Sequence, residues 1–341
     1  MLEELLEDNT ITEIMINGPE NIFIEKSGKI LKVNEQFDST QRLETIIQQI
    51  VAKCNRVVNE AKPIADARLE NGARVNIVLA PIALNGPIVT IRRFPDKPII
   101  MDDLIGFGAL TSEIAEFLKI LVQAKYNIFI SGGTGCGKTT FLNALSNFIP
   151  NDERIITIED NAELQIQGVD NLVRLETRNA NVEECSEISI RDLIKSALRM
   201  RPNRIVVGEV RGAEAIDMVQ CLNTGHDGSL STGHANSARD MLYRLETMIL
   251  MGMDLPLPAI RRQIGSGIDI IIHLGRMRDK SRKLLEIVEV IGIENDEIKL
   301  NVLYKFKEIK TDSEHSDKKI KGEWVKVNEI TKVQKWEQAG F

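Results

Sequence analysis

Cysteine is scarce and scattered: Cys54, Cys136, Cys185 and Cys221 are spread along 341 residues with no C-x-x-C pair. That pattern excludes a disulfide framework and a structural zinc site, and it fits a reducing compartment. No apolar run approaches the ~18 residues needed to cross a bilayer, and IDIIIHL at 268–274 is among the longest. The opening MLEELLEDNT is acidic and lacks the basic-then-apolar layout of a secretory signal. A basic excess is missing too. Against 43 Lys and Arg stand 50 Asp and Glu, a net charge of −7, so no global field draws nucleic acid or anionic lipid. These absences lead to the expectation of a cytoplasmic protein, at most peripheral to a membrane, without direct lipid insertion and with nucleic acid an unfavoured partner.

What is present is ordinary for a globular protein: 43% hydrophobic and 27% charged residues. The length allows roughly two or three domains. Residues 1–95 read as a small α/β domain. ITEIMINGPENIFIEKSGKILKV gives three short β-runs, and DSTQRLETIIQQIVAKCNRVV repeats its apolar residues at helical spacing. Asn71-Gly72 and Asn85-Gly86 mark turns between further antiparallel strands. The stretch 96–111, with its glycines and no clear period, reads as a linker. From 112 to 281, helices alternate with continuous apolar strands, the pattern of a parallel sheet covered on both faces. Residues 282–341 read as a β-rich appendage with a polar stretch near 311–324.

NIFISGGTGCGKTTFLNAL carries the strongest signal. Residues 132–139 match G-x-x-x-x-G-K-[ST] with an apolar strand before and a helix after. The loop Gly132, Gly133, Thr134, Gly135, Cys136, Gly137 would present backbone N–H groups to phosphate oxygens at a helix N-terminus. Lys138 would reach the β- and γ-phosphates, Thr139 would bind Mg²⁺, and Thr140 follows in the first helical turn. A nucleoside triphosphate is therefore expected. There is no N-K-x-D of a GTPase and no arginine-rich lid of a small-molecule kinase.

Ligands of parallel sheets sit at the carboxyl ends of the strands. RIITIED ends in Glu159 and RIVVGEVRG in Glu209. Glu209 is the candidate to polarise the attacking water, with Glu159 as its partner. TGHDGSLSTGHANS holds His226 and His234. A zinc role lacks companion ligands and acyl transfer lacks partners. His234, at a strand tip, is the candidate sensor of the terminal phosphate, and His226 either positions that strand or meets a neighbouring subunit. Arginines 68, 74, 92, 93, 199, 201, 204 and 211, taken as a set, point to a nucleotide buried between two domains.

These segments, together with DARLENGARVN, TIRRF, LRMRPNRIVVGEVRGAEA and RLETMILM, resemble the type II/type IV secretion-superfamily traffic ATPases, most of all the CpaF-like ATPases of Tad/Flp pili. The resemblance spans nearly the whole chain. It implies a RecA-like P-loop domain preceded by a smaller α/β (PAS-like) domain, assembled as a homohexameric ring that hydrolyses ATP with Mg²⁺. It places the family's acidic box on 154–160 with Glu159 as key acid, its atypical Walker B on 205–209, its His box on 224–234, and its N-domain phosphate arginine on Arg92 or Arg93. The implied role is a motor for pilus assembly or protein secretion at the inner face of the membrane, docked on a polytopic platform protein. A conjugation or type IV secretion motor would carry the same boxes, and a nucleotide-dependent scaffold without turnover is the reading from another class. The tetracysteine zinc module of some relatives is absent, as is the long N-terminal extension of some CpaF-like proteins.

Overall fold

The computed structural model describes residues 2–26, 28–54, 56–93, 97–178, 186–309 and 320–341. Cys185 and residues 311–319 of the polar stretch lie outside them. Among the described residues the chain forms two compact units, one of residues 2–97 together with Ser186 and one of residues 98–178 and 187–341.

In the first unit the order is α1 (Leu2–Glu7), β1 (Ile11–Asn17), β2 (Ile22–Lys26), β3 (Lys29–Lys32), α2 (Thr40–Lys53), β4 (Ile64–Arg68), β5 (Arg74–Val78) and β6 (Ile88–Arg92). The strands make one antiparallel sheet, ordered β3-β2-β1-β6-β5-β4. Ser39 starts α2 by accepting the Arg42 N–H at its hydroxyl, which satisfies one of the helix's orphan donors. Leu43, Ile47 and Val51 recur at i, i+4, i+8 and bury one stripe of α2 among Ile14, Ile16, Val75, Ile77, Val89 and Ile91 of the strands.

The second unit continues with α3 (Met101–Gly106), α4 (Ser112–Gln123), β7 (Ile128–Gly132), α5 (Lys138–Ser146), β8 (Ile155–Glu159), β9 (Leu172–Glu176), α6 (Ile190–Ala197), β10 (Arg204–Val207), α7 (Ala215–Leu222), β11 (Leu230–His234), α8 (Ala238–Gly252), α9 (Leu257–Gly267), β12 (Ile270–Arg276), β13 (Arg282–Glu294), β14 (Glu297–Glu308), β15 (Gly322–Lys326) and α10 (Gln334–Gln338). One nine-stranded sheet runs β15-β14-β13-β12-β7-β11-β10-β8-β9. From β12 to β9 it is parallel, and β13 to β15 extend it antiparallel. The segment beyond 282 is thus an extension of the second unit's sheet.

The apolar runs explain the burial. Ile128, Ile130, Val206, Ile270 and Ile272 feed the core on one face; Phe129, Ile205, Val207 and Ile271 feed the core on the other. A period of two over a run with no polar break leaves neither face for water. Each such side chain contributes about 1.5–3 kcal/mol. The stretch expected as a linker instead contains α3, whose Met101 and Leu104 enter the second unit's core. Its glycines, Gly106 and Gly108, come at the end of that helix, where a chain leaves helical conformation easily.

Candidate functional site

Because β7 and β8 are separated by β11 and β10, four strand ends meet along one edge: Gly132, His234, the Gly208-Glu209 pair and Glu159. His234 pairs directly with Gly132 in the parallel register.

The loop between β7 and α5 is built by its glycines. Gly135 and Gly137 adopt φ of +72° and +93°, the left-handed region open to glycine. A Cβ on Gly132 would stand 2.5 Å from Cys136 Sγ and 2.6 Å from the Leu274 carbonyl, so only glycine fits there. Gly133, Thr134 and Gly135 are exposed, Thr139 and Thr140 half-buried. Burial raises the Cys136 thiol, which makes it a packing group. Lys138 is 8% exposed and curls back, its Nζ donating to the carbonyls of Gly132 and Gly133 at 3.2 Å each. A cationic donor folded over a nest of backbone amides is what a phosphate group would meet.

Lys138 Nζ also lies 3.3 Å from His234 Nδ1, and His234 Nε2 lies 2.8 Å from Glu209 Oε1. Burial lowers the His234 pKa. Glu209 opposes that shift, and Lys138, Arg211 and Arg244 add to it. A neutral ring with its proton on Nε2 suits both neighbours: Nε2–H faces Glu209 and Nδ1 accepts from Lys138. The Nε2–Oε1 approach is close but off the line of a hydrogen bond, which leaves Glu209 Oε1 able to accept from a water. The other Glu209 oxygen accepts from Arg211 Nη2 at 2.6 Å, and Arg211 Nη1 stands 3.8 Å from Asp160. Lys138, His234, Glu209 and Arg211 thus form one continuous polar chain.

Glu159 is different. Only 3% exposed, it accepts the N–H groups of Glu163 and Leu164 on Oε2 at 2.7 and 2.8 Å. Its Oε1 is buried without a hydrogen-bond partner among the described residues. Desolvation, partly offset by those two N–H bonds, raises its pKa to about 7. Gly208 makes room for it: a Cβ there would meet Glu159 Cγ at 2.9 Å. The glycine before Glu209 therefore serves the neighbouring acid.

The remaining candidates separate. His226 precedes β11 and lies at the opposite edge of the sheet from His234, half-buried, with Nδ1 3.5 Å from Thr224 Oγ1. Its carbonyl accepts the Ser229 hydroxyl at 2.7 Å, which fixes the entry to β11. Within the first unit, the Arg93 guanidinium donates to the Asp8 carbonyl and to Asn9 Oδ1, while Arg92 is exposed. Within each unit the arginines have separate local surroundings. Arg204 is fully buried in a bidentate pair with Glu153 at 2.6 and 2.9 Å, Arg74 pairs with Asp66, and Arg199 and Arg201 are exposed. Among the arginines of the second unit, Arg211 joins the site edge through Glu209 and Asp160.

Two residues escape a motif-based reading. Arg282 Nε donates to the Gly135 carbonyl at 2.9 Å, and Arg276 Nη1 lies 3.4 Å from where a Gly135 Cβ would stand. The sequence signal was the alternating basic run R-M-R-D-K-S-R-K at 276–283. Among the described residues no cluster of three or more His, Cys, Asp or Glu could hold a metal. The half-buried Thr139 hydroxyl in the first turn of α5 is the group that would hold a Mg²⁺ ion beside a nucleotide.

A family model described as "Type II/IV secretion system protein" matches residues 1–335. A putative conjugal transfer protein of Mycobacterium tuberculosis is 33% identical over 293 residues, which covers 84% of this chain and 83% of the relative. The type IV secretion system protein PtlH of Bordetella pertussis is 32% identical over 299 residues, covering 81% and 88%. Among solved structures, the ATPase DotB of Legionella pneumophila superposes with a TM-score of 0.59 at 22% identity, over 84% of this chain and 79% of DotB, a likeness of fold. No helix among the described residues is long and apolar enough to cross a membrane. With its phosphate loop, its strand-end acids and a match over nearly its whole length, the chain belongs to the type II/IV secretion family and is a nucleotide-binding ATPase of that family.

Proposed function

We propose that the chain is a Mg²⁺-dependent motor, working as a homohexamer at the inner face of the membrane on a polytopic platform protein, and that Glu209 and His234 run its hydrolytic step. The observation that carries this is the Lys138–His234–Glu209 chain at the mouth of the phosphate loop. When bound to Thr139 and the nucleotide, Mg²⁺ supplies charge neutralisation on the β- and γ-oxygens.

Glu209 faces the γ-phosphate side of the loop and orients the attacking water, accepting one of its protons. Lys138 leaves the Gly132 and Gly133 carbonyls for phosphate oxygens. His234 then loses its Nδ1 donor, and an arriving anion favours a proton there, so the imidazole reports whether the terminal phosphate is present. Glu159, tied to its own loop, holds the β8 end and is the reserve proton site. Arg92, whose guanidinium is exposed, is the N-terminal arginine available for phosphate; Arg93 is committed to Asp8 and Asn9. His226 acts on the shape of the β11 entry. The names of the relatives favour conjugal transfer or type IV secretion; pilus assembly uses the same parts.

Phosphate release from wild type, Lys138→Ala and Glu209→Gln tests the motor reading. Turnover in wild type alone supports it, and wild-type nucleotide binding with no turnover leaves a scaffold instead. Native mass measurement with an ATP analogue tests the ring: a chain that stays monomeric sinks the hexamer.

A further inference from the structure

The chemistry described so far lies on one side of the phosphate loop, on β11, β10 and β8. The other side is occupied by β12 and β13, and their hairpin carries two arginines directly opposite each other: Arg276 and Arg282 are cross-strand partners. Like charges facing across an antiparallel pair repel. Among the described residues no carboxylate within 4 Å relieves them, and both side chains are exposed. Neighbouring basic residues do have partners. Arg278 pairs with Glu308, and Lys283 donates to the Gly108 carbonyl.

The hairpin tip is held firmly. Asp279 Oδ1 accepts the N–H and hydroxyl of Ser281 at 3.0 and 2.6 Å, and Oδ2 accepts the Ile320 N–H at 2.7 Å. A fixed tip therefore maintains an unfavourable pair against the loop. Arg282 Nε touches Gly135, its Cδ is 3.2 Å from where a Gly137 Cβ would stand, and Arg276 Nη1 reaches over Gly135. A like-charged pair fixed beside the anion cradle is stabilised by an anion.

We propose that Arg276 and Arg282 form an anion clamp, supplied by the same subunit, on the diphosphate part of the nucleotide. This rests on the reading of the loop as the nucleotide site. The division of labour follows from the sheet order: β11, β10 and β8 attend to the phosphate that leaves, and the β12–β13 hairpin to the two that stay. The clamp sets how tightly ADP is held between strokes.

The test titrates full-length wild type, Arg276→Gln, Arg282→Gln and Lys138→Ala with ADP, a non-hydrolysable ATP analogue and inorganic pyrophosphate. Arg276→Gln is the cleaner variant, since Arg276 makes no bond to the loop backbone. Removing one charge-assisted hydrogen bond weakens binding about 10- to 100-fold, and all three probes should weaken by a similar factor. Without nucleotide, Arg276→Gln should melt at or above the wild-type temperature, because repulsion is removed. The clamp is overturned if affinity is unchanged for all probes, if only the ATP analogue weakens, or if ADP weakens while pyrophosphate does not, which would put the arginines on the base. A lower melting temperature in the absence of ligand would mark Arg276 as a structural strut and overturn it as well. If Lys138→Ala binds nucleotide like wild type, the loop reading itself fails, which is a separate result.

Discussion

Glu159 and Glu209 close neighbouring parallel strands, β8 and β10, and the same residue type does different work in each place. Glu209 sits between the neutral His234 ring beside one oxygen and the Arg211 cation on the other. Glu159 lies behind Gly208, buried, with two backbone N–H groups on one oxygen and, among the described residues, nothing on the other. The difference comes from neighbours and not from strand position. An acid held by movable charged side chains can be handed to a substrate; one held by backbone amides stays where it is.

Replacing Glu209 should break the comparison most sharply. Glu209→Gln keeps the shape, removes the base and should lower kcat by about 10²–10⁴-fold, with nucleotide affinity nearly unchanged in a direct titration. An equal fall in kcat from Glu159→Gln would show the two acids to be one catalytic unit and would defeat the distinction between them.

Glu159→Gln should act first on stability. Folding raises this carboxyl from its ordinary 4.5 to about 7, so the folded state binds the proton more tightly than the unfolded state. Stability is then lost as pH rises from about 4.5 towards 7, and at pH 8 the full cost, about 3 kcal/mol, is present. The amide carries no charge. The variant should unfold at higher denaturant at pH 8 and match wild type near pH 4.5. Parallel unfolding curves at both pH values would remove the buried-charge account.

Gly208→Ala comes next. The new methyl would press on Glu159 Cγ at 2.9 Å, and an overpacked site costs about 1–3 kcal/mol. The double variant Gly208→Ala/Glu159→Ala should recover most of that stability in the same unfolding assay. If it does not, the glycine serves β10 itself and not the acid beside it.

The phosphate loop was legible because its requirements are local: glycines at positive φ, an apolar strand before, a helix after. The strand-end acids followed from the rule that parallel sheets bind at their carboxyl edge. His226 could have been placed by the same rule, since a five-residue strand of ~3.3 Å per residue separates the two edges. What stayed hidden depends on chain returns that no local pattern encodes. The Arg276–Arg282 hairpin folds back over a loop some 140 residues earlier, and Glu159 finds its donors only once the loop after β8 closes. α9 carries Pro256, Pro258, Gly265 and Gly267, which read locally as breakers, although proline is harmless in a first helical turn. Arg204 resembled a site arginine because Glu153, its buried partner, is far away in sequence.

Arg211 offers the mildest perturbation. It bridges Glu209 and Asp160, and its charge is one of those that disfavour protonation of His234. Arg211→Gln leaves Lys138, His234 and Glu209 in place but removes a cation facing the ring. The His234 pKa, held below its ordinary 6.5, should therefore move upward, because Glu209 now acts on the imidazole with less competition. With only four histidines in the chain, the Cε1 proton of His234 can be assigned by His234→Gln and followed by NMR titration. A rise in the midpoint supports the neutral Nε2–H ring poised between Lys138 and Glu209. An unchanged midpoint, in a variant whose backbone spectrum is preserved, means that Arg211 acts on Glu209 alone and that the polar chain ends there.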